Sequence, residues 1–222
     1  MPNRSIVLPQ CFQGIPIIVT DPITPLLVLA SASPRRAELL HQIGVSHRIE
    51  PADIDETRAT GEQIDECVQR LARSKALQVQ QRFKSLPVLG ADTVVVIDEV
   101  LLGKPRDRAD AIEMLQRLSG RSHQVLSAVA LASDKGLHQA LSRNVVRFRS
   151  LSEQECVAYW DSGEPQGKAG AYAIQGLGAA FIEYLSGSYS GVMGLPLYET
   201  AQLLRAADVA IPGLMTRRLM TR

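Results

Sequence analysis

The stretch "LLVLASASPRRAELLHQIG", residues 26–44, decides the fold class. Its first five residues are an unbroken apolar run of the length of a buried strand. Ser33 then stands where a helix N-cap belongs, with Pro34 at the first helical position, where a missing N–H does no harm. Leu39, Leu40 and Ile43 give the helix an apolar face, and Gly44 suits the turn that ends it. A buried strand feeding directly into an amphipathic helix is the opening of an α/β domain. One feature conflicts with the local physics. Arg35 and Arg36 sit at a helix start, where the dipole favours anions. Two cations belong there if something more negative is bound.

The remainder of the 222-residue chain sets the limits. A 45% apolar share and 21% charged residues are ordinary for a globular domain with a substantial core. The formal net charge of +1 leaves no global field to gather nucleic acid or an acidic membrane, so an anion site has to be local. Cys11, Cys67 and Cys156 are scattered and odd in number, which fits a reducing compartment better than a disulfide framework. His41, His47, His123 and His138 lack metal-ligand spacing. No apolar run reaches the length of a membrane span, and Pro9, Pro16, Pro22 and Pro25 interrupt the N-terminal stretch where a secretion signal would be continuously apolar. These features predict a cytoplasmic protein with an N-terminal extension (1–25), one domain (26–205) and a C-terminal tail (206–222).

Further along, Thr60 and Gln63 have capping-box spacing ahead of a stripe formed by Ile64, Val68, Leu71, Lys75 and Val79. The lysine inside that stripe either snorkels or reaches into a cleft. "PVLGADTVVVID" (87–98) reads as a central strand that carries Asp92 in its interior. A carboxylate there is expensive to bury unless it is paired or lies beside water or metal. Gly90 just before it admits close approach of another backbone or a ligand. Asp107 caps a helix with Ala111, Leu115 and Leu118 on one face, and Gly120 ends it. Residues 123–132 and 144–149 read as strands, with Gly136 in the connecting turn. Ser152 and Glu155 repeat the capping-box spacing before a helix carrying Val157 and Trp160. Residues 163–196 hold eight of the sixteen glycines yet contain apolar residues throughout, which predicts an ordered loop and a strand over 179–185. Pro196 opens a last helix with Tyr198, Ala201 and Leu204 on its inner face. The sum is an α/β fold with a mixed twisted sheet and flanking helices, without the regular alternation of a doubly wound fold.

The out-of-place charges share a chemistry. Arg35 and Arg36 at a helix start, Lys75 on an apolar stripe and Lys104 after a glycine are suited to a polyphosphate, through bidentate arginine bonds and lysine point charges. "ADIDE" (52–56) supplies carboxylates, with Asp53 and Asp55 on one face of an extended segment. One or more of this group, together with Asp92, would serve Mg²⁺ or Mn²⁺, which take oxygen ligands and share them with substrate phosphates.

Several motifs in order, "LASASPRRAELL", "DIDE", "RLARSKA", "GADTVV", "GKPRD", "LSGRSHQVLSAVAL" and "KAGAYAIQGLGAAFIEYLSGSYSGVMGLPL", resemble the Maf family of nucleoside-triphosphate pyrophosphatases over about residues 26–205. The resemblance implies a two-lobed fold around a cleft, related to the inosine-triphosphate pyrophosphatases, and a homodimer. It implies metal-dependent hydrolysis of a nucleoside triphosphate to the monophosphate and pyrophosphate. By the same resemblance Asp92 matches the catalytic proton acceptor, and Ser31, Arg35, Arg36, Lys75 and Lys104 match phosphate-binding positions. Glu56 matches an acidic position near the metal that Asp92 also serves. Thr93 and Gln175, with Arg35, resemble the specificity positions of the subgroup acting on dTTP and UTP. An amide at Gln175 can offer both a donor and an acceptor to a pyrimidine edge. The rival readings are a 7-methyl-GTP or modified-nucleotide pyrophosphatase, whose subgroup typically carries glutamine after the aspartate, and a nucleotide-binding regulator of septum formation without turnover. The chain departs from the family pattern in "GAYAIQG", where glycine often follows the tyrosine.

Overall fold

Strand alternation along the central segment organises the molecule. The computed structural model describes residues 25–212 and 214, so the readings of the N-terminal extension and of most of the C-terminal tail lie outside the described residues. In chain order it contains β1 (Leu27–Leu29), α1 (Pro34–Gln42), β2 (His47–Ile49), α2 (Ile64–Gln80), β3 (Val88–Ile97), β4 (Val100–Leu102) and α3 (Arg108–Leu118). There follow β5 (Ser122–Ser133), β6 (Gly136–Phe148), α4 (Glu153–Asp161), β7 (Ile182–Ser186), α5 (Tyr189–Met193) and α6 (Leu197–Ala206). The strands form one seven-stranded sheet in the order β2-β1-β3-β5-β6-β7, with β4 also paired to β3. β1 runs parallel to β2 and β3, and the remaining pairs are antiparallel, so the sheet is mixed.

Successive side chains of β3 point to opposite faces. On one face Leu89 and Ala91 join a core closed by Leu39 and Leu40 of α1 and Leu203 and Leu204 of α6. Further along the same face, Val95 and Ile97 join a second core with Ala111, Leu115 and Leu118 of α3 and Cys156 and Tyr159 of α4. Thr93 falls between the two cores. On the opposite face α2 lies against the sheet through Val68, Ala72 and Ala76, packed on Val94, Leu126, Ala128 and Ala130. Small residues let this helix approach closely. A Cβ at Gly90 would overlap the Ala72 carbonyl oxygen and sit 2.7 Å from Ala76 N, so Gly90 serves a neighbouring backbone and not a ligand.

Several local expectations change. Ser33 is the N-cap of α1 with Pro34 behind it, but its side chain makes no capping bond. The Thr60–Gln63 capping box does not form: α2 begins only at Ile64, with Gln63 as an N-cap whose side chain makes no bond. Gly61 takes a left-handed φ of 78°, which turns the chain away from a helix at that point. Glu62 instead accepts from Ala59 N at 3.1 Å and from Arg70 at 2.6 and 2.9 Å, closing the loop onto the helix. The Ser152–Glu155 box forms reciprocally, and Asp107 accepts from Asp110 N. In α4 it is Cys156 and Tyr159 that are buried, while Val157 and Trp160 are half-buried. The strand expected over 144–149 starts at Gly136. Its first half is largely exposed and carries no apolar alternation to read. Residues 177–181 are a 3₁₀ turn, which delays the following strand to Ile182. Tyr198 is 72% exposed, and the inner face of α6 is Thr200, Leu203 and Leu204. Strands β2 and β4 and helix α5, each five residues or shorter, are additional to the sequence reading.

Candidate functional site

Beside β3, between its pairing with β1, which ends at Leu89, and its pairing with β4, which begins at Val95, a cleft of about 620 Å³ opens, with Thr93 facing it from the side of the two cores and Asp92 from the side of α2. Its walls come from the turn before α1, from α2, β3, the segments around 103 and 168–175, and the end of α5. Ser31, Arg35, Arg36, Glu56, Lys75, Asp92, Thr93, Lys104 and Gln175 all line it. Residues from six separated segments therefore meet in one space.

One wall is the turn into α1, whose chemistry suits an anion. Pro34 has no N–H to donate, and the next amides of α1 have no acceptor within the helix. Among the described residues no side chain caps them. Ser31 Oγ accepts from Ser33 N at 3.2 Å and from Arg36 Nη1 at 3.1 Å, which leaves its own hydroxyl proton free to donate. Among the described residues Arg35 makes one hydrogen bond, Nε to Met193 O at 3.3 Å, and its terminal nitrogens are left for a ligand. Arg36 behaves differently. Nε donates to Gly194 O at 2.9 Å, Nη1 also to Ala91 O at 2.8 Å, and Nη2 to Thr93 Oγ1 at 3.3 Å. A guanidinium has five N–H donors, so at most one is left for a phosphate. Burial lowers the pKa of Arg36 and the charge of Asp92 opposes that shift. Arg36 ties together α1, β3 and the 193–194 loop while keeping its charge beside the cleft.

Thr93 belongs to the same framework. Ser127 Oγ donates to Gly191 O at 2.6 Å, so in the 2.9 Å pair between Thr93 and Ser127 the proton comes from Thr93. Its oxygen accepts from Arg36. The hydroxyl read as a specificity element is thus occupied in holding the wall.

On the α2 side, Asp92 and Lys75 are both buried, at 7% and 8% exposure. Lys75 Nζ donates to Asp92 Oδ1 at 2.7 Å and to Glu56 Oε1 at 2.6 Å. This resolves both sequence anomalies at once: the lysine on the apolar stripe of α2 and the carboxylate inside β3 are partners, and snorkelling is the wrong description. Burial alone would raise the pKa of Glu56. The hydrogen bond and charge of Lys75, aided by Lys104 and Arg36, outweigh it and hold Glu56 below the ordinary carboxylate range. The two carboxylates converge on a single ammonium. Among the described residues no group of three or more His, Cys, Asp or Glu side chains is placed to hold a metal by itself. Two hard oxygen donors facing one point do fit a divalent cation completed by substrate phosphates and water.

Asp53 and Asp55 are not part of this arrangement. Asp53 is exposed, its backbone paired with the Gln78 side chain, and Asp55 accepts from Thr57 N at 2.8 Å outside the cleft. Lys168 and Tyr172, which line the cleft, were passed over in the sequence. The available signal for Lys168 was its place in the glycine-rich segment. Burial and the nearby charge of Arg35 lower its pKa, which puts a second cation near the arginine. Gln175 is exposed to the cleft at the third position of a turn in which Gly176 N donates to Ala173 O at 3.3 Å.

Comparison with known proteins agrees over nearly the whole described chain. The family model described as Maf-like protein matches residues 26–207. The dTTP/UTP pyrophosphatase of Bordetella parapertussis is 52% identical over 204 residues, covering 88% of this chain and 98% of the relative. That of Methylobacillus flagellatus is 54% identical over 189 residues, covering 84% and 95%. That of Saccharophagus degradans is 49% identical over 189 residues, covering 83% and 90%.

Proposed function

This chain belongs to the Maf family, and from that premise we propose that it is a pyrophosphatase hydrolysing dTTP and UTP to the monophosphate and pyrophosphate. The observation that carries the reading is the meeting, in one cleft, of an uncapped helix start flanked by free donors and a lysine-bridged carboxylate pair. The names of the relatives at about half identity support the same substrates.

In this reading the triphosphate lies against the Ser31 hydroxyl, the first amides of α1, the terminal nitrogens of Arg35 and the Lys104 ammonium. Charge-assisted bonds of this kind are roughly twice as strong as neutral ones and fix the phosphates in place. Glu56 and Asp92 would hold a Mg²⁺ or Mn²⁺ ion, which when bound neutralises phosphate charge. Lys75 holds Asp92 through Oδ1 at 2.7 Å, which leaves the other carboxylate oxygen to accept a proton. Asp92 takes a proton from water as the water oxygen bonds to the α-phosphorus. The bond from that phosphorus to the bridging oxygen breaks, and pyrophosphate leaves. The cations of the cleft stabilise the charge that develops on the phosphates. Gln175 reads the pyrimidine edge, and Arg36 and Thr93 hold the wall against which the nucleotide lies. We further propose a homodimer, checked by sedimentation velocity of the full chain.

The test is pyrophosphate release from a nucleotide panel with Mg²⁺ or Mn²⁺. dTTP and UTP are expected to be turned over with the highest kcat/KM, and Asp92→Asn to lower kcat by about 10³ in line with removal of a general base. Absence of pyrophosphate release from dTTP and UTP overturns the proposal, and near-normal turnover by Asp92→Asn overturns the role of Asp92.

A further inference from the structure

The loop that carries Gln175 is held from behind by two side chains outside the cleft lining's chemistry. Glu164 follows α4 and points its carboxylate at the loop. Its Oε2 accepts from Leu177 N at 2.8 Å, and its Oε1 accepts from Gly178 N at 3.0 Å and from the Tyr159 hydroxyl at 2.6 Å. The Tyr159 oxygen in turn accepts from Ala173 N at 3.1 Å. The bonded amides therefore bracket Gln175, two residues before it and two and three residues after it. Gln175 itself makes no hydrogen bond to another described residue, so the backbone on which it sits is what places it at the cleft.

The glycines of "AIQGLG" record how closely these groups approach. A Cβ at Gly176 would lie 2.6 Å from Glu164 Oε1, and one at Gly178 would lie 2.6 Å from the Tyr159 hydroxyl. Burial would raise the pKa of Glu164, but the Tyr159 hydroxyl and the amides of Gly178 and Leu177 outweigh it and hold the group ionised. An ionised carboxylate accepts at every lone pair, which suits a site that presents only donors. Tyr159 is anchored on its other side by its ring, which meets Phe181 edge-on with centroids 4.8 Å apart, inside the second core.

We propose that Glu164, acting through Tyr159 and the 173–178 backbone, is a positioning residue that sets which nucleobase the enzyme accepts. The inference rests on the reading of Gln175 as the group that meets the base. Neither Glu164 nor Tyr159 is placed among the phosphate-binding or proton-accepting groups, so loosening the clamp is expected to alter selection more than chemistry.

The experiment compares wild type, Glu164→Gln, Tyr159→Phe, Gln175→Ala and the Glu164→Gln/Gln175→Ala double variant, each as the full chain. It measures kcat and KM for dTTP, UTP, dCTP and dGTP, with amide hydrogen exchange of residues 173–178. Glu164→Gln keeps the volume but turns an N–H₂ toward backbone donors. The expected result is a kcat for dTTP within about threefold of wild type, a raised KM, and a loss of at least about tenfold in the kcat/KM ratio of dTTP over dCTP and dGTP. Tyr159→Phe follows in the same direction, and exchange quickens at 173–178. In the Gln175→Ala background, Glu164→Gln adds no further loss of selectivity, the non-additivity expected of groups acting through one another. If Gln175→Ala collapses selectivity and neither Glu164→Gln nor Tyr159→Phe does, the positioning role is overturned while the reading of Gln175 stands. If Gln175→Ala leaves selectivity intact, the reading of Gln175 fails and the positioning role with it. An equal fall in kcat/KM for every nucleotide, or additive losses in the double variant, also overturns the proposal.

Discussion

Lys75 shows what a single residue can settle. In sequence it interrupts an apolar stripe, and in space it bonds Asp92 and Glu56 at once. Lys75→Met restores the stripe but leaves Asp92 buried without its partner. Breaking such a pair from one side typically costs about 3 kcal/mol, so a lowered urea midpoint is expected, along with turnover reduced by at least about 100-fold. A midpoint equal to wild type would contradict the pairing. His123 makes a separate prediction. It is 3% exposed, pairs through Nε2 with the Tyr172 hydroxyl at 2.9 Å, and packs edge-on against Phe148. Burial pushes its pKa down from 6.5 to about 4. Between those values the unfolded chain binds a proton that the folded chain does not, so stability rises with pH across the window. As pH falls from 6.5 toward 4, about 3 kcal/mol is lost through this group. Denaturant titrations across that range are expected to show the slope, and His123→Gln to flatten it.

At the scale of elements, the contact of α2 with β3 positions the chemistry. Gly90 lets the helix backbone come close enough for Lys75 to reach Asp92. Gly90→Ala forces the two apart, since the obstruction is the backbone of Ala72 and Ala76 and not a flexible side chain. Overpacking of this kind is expected to cost about 2 to 3 kcal/mol, a fall of roughly 5–10 °C in Tm for a chain of this size, with loss of turnover from the displaced lysine. The two capping-box patterns show the limits of local reading. Ser152–Glu155 forms because a helix starts directly behind it. Thr60–Gln63 has the same spacing, but Glu62 is drawn to Arg70 eight residues on, a competition that spacing alone does not register. The strand–helix opening, the stripe of α2, the central strand and the α3 cap were legible, because each is written in the periodicity of adjacent residues. The short β2, β4 and α5 were not, because three to five residues carry too little periodicity, and the polar half of β6 is a strand only because β5 pairs with it.

For the molecule as a whole, the cleft lies beside β3 between its pairings with β1 and β4, and a nucleotide seated there touches elements of both cores. Ligand binding is therefore expected to stabilise the global fold. At about one hundred times Kd, a non-hydrolysable dTTP analogue with Mg²⁺ contributes about 2.7 kcal/mol, seen in scanning calorimetry as a concentration-dependent rise of Tm. A Tm independent of analogue concentration would contradict a site built across both cores. The sequence by itself determined the α/β class, the mixed sheet and the residue types of a polyphosphate site, since strand and helix periods and misplaced charges are local properties. Family resemblance in the motifs supplied the substrate reading. The tertiary structure alone decided how those residues divide their tasks. It turned Arg36 and Thr93 inward as struts, excluded Asp53 and Asp55, joined Lys75 to both carboxylates and set Glu164 behind the Gln175 loop. Each of those outcomes depends on hydrogen-bond partners far apart in the chain, and such partners are chosen by packing.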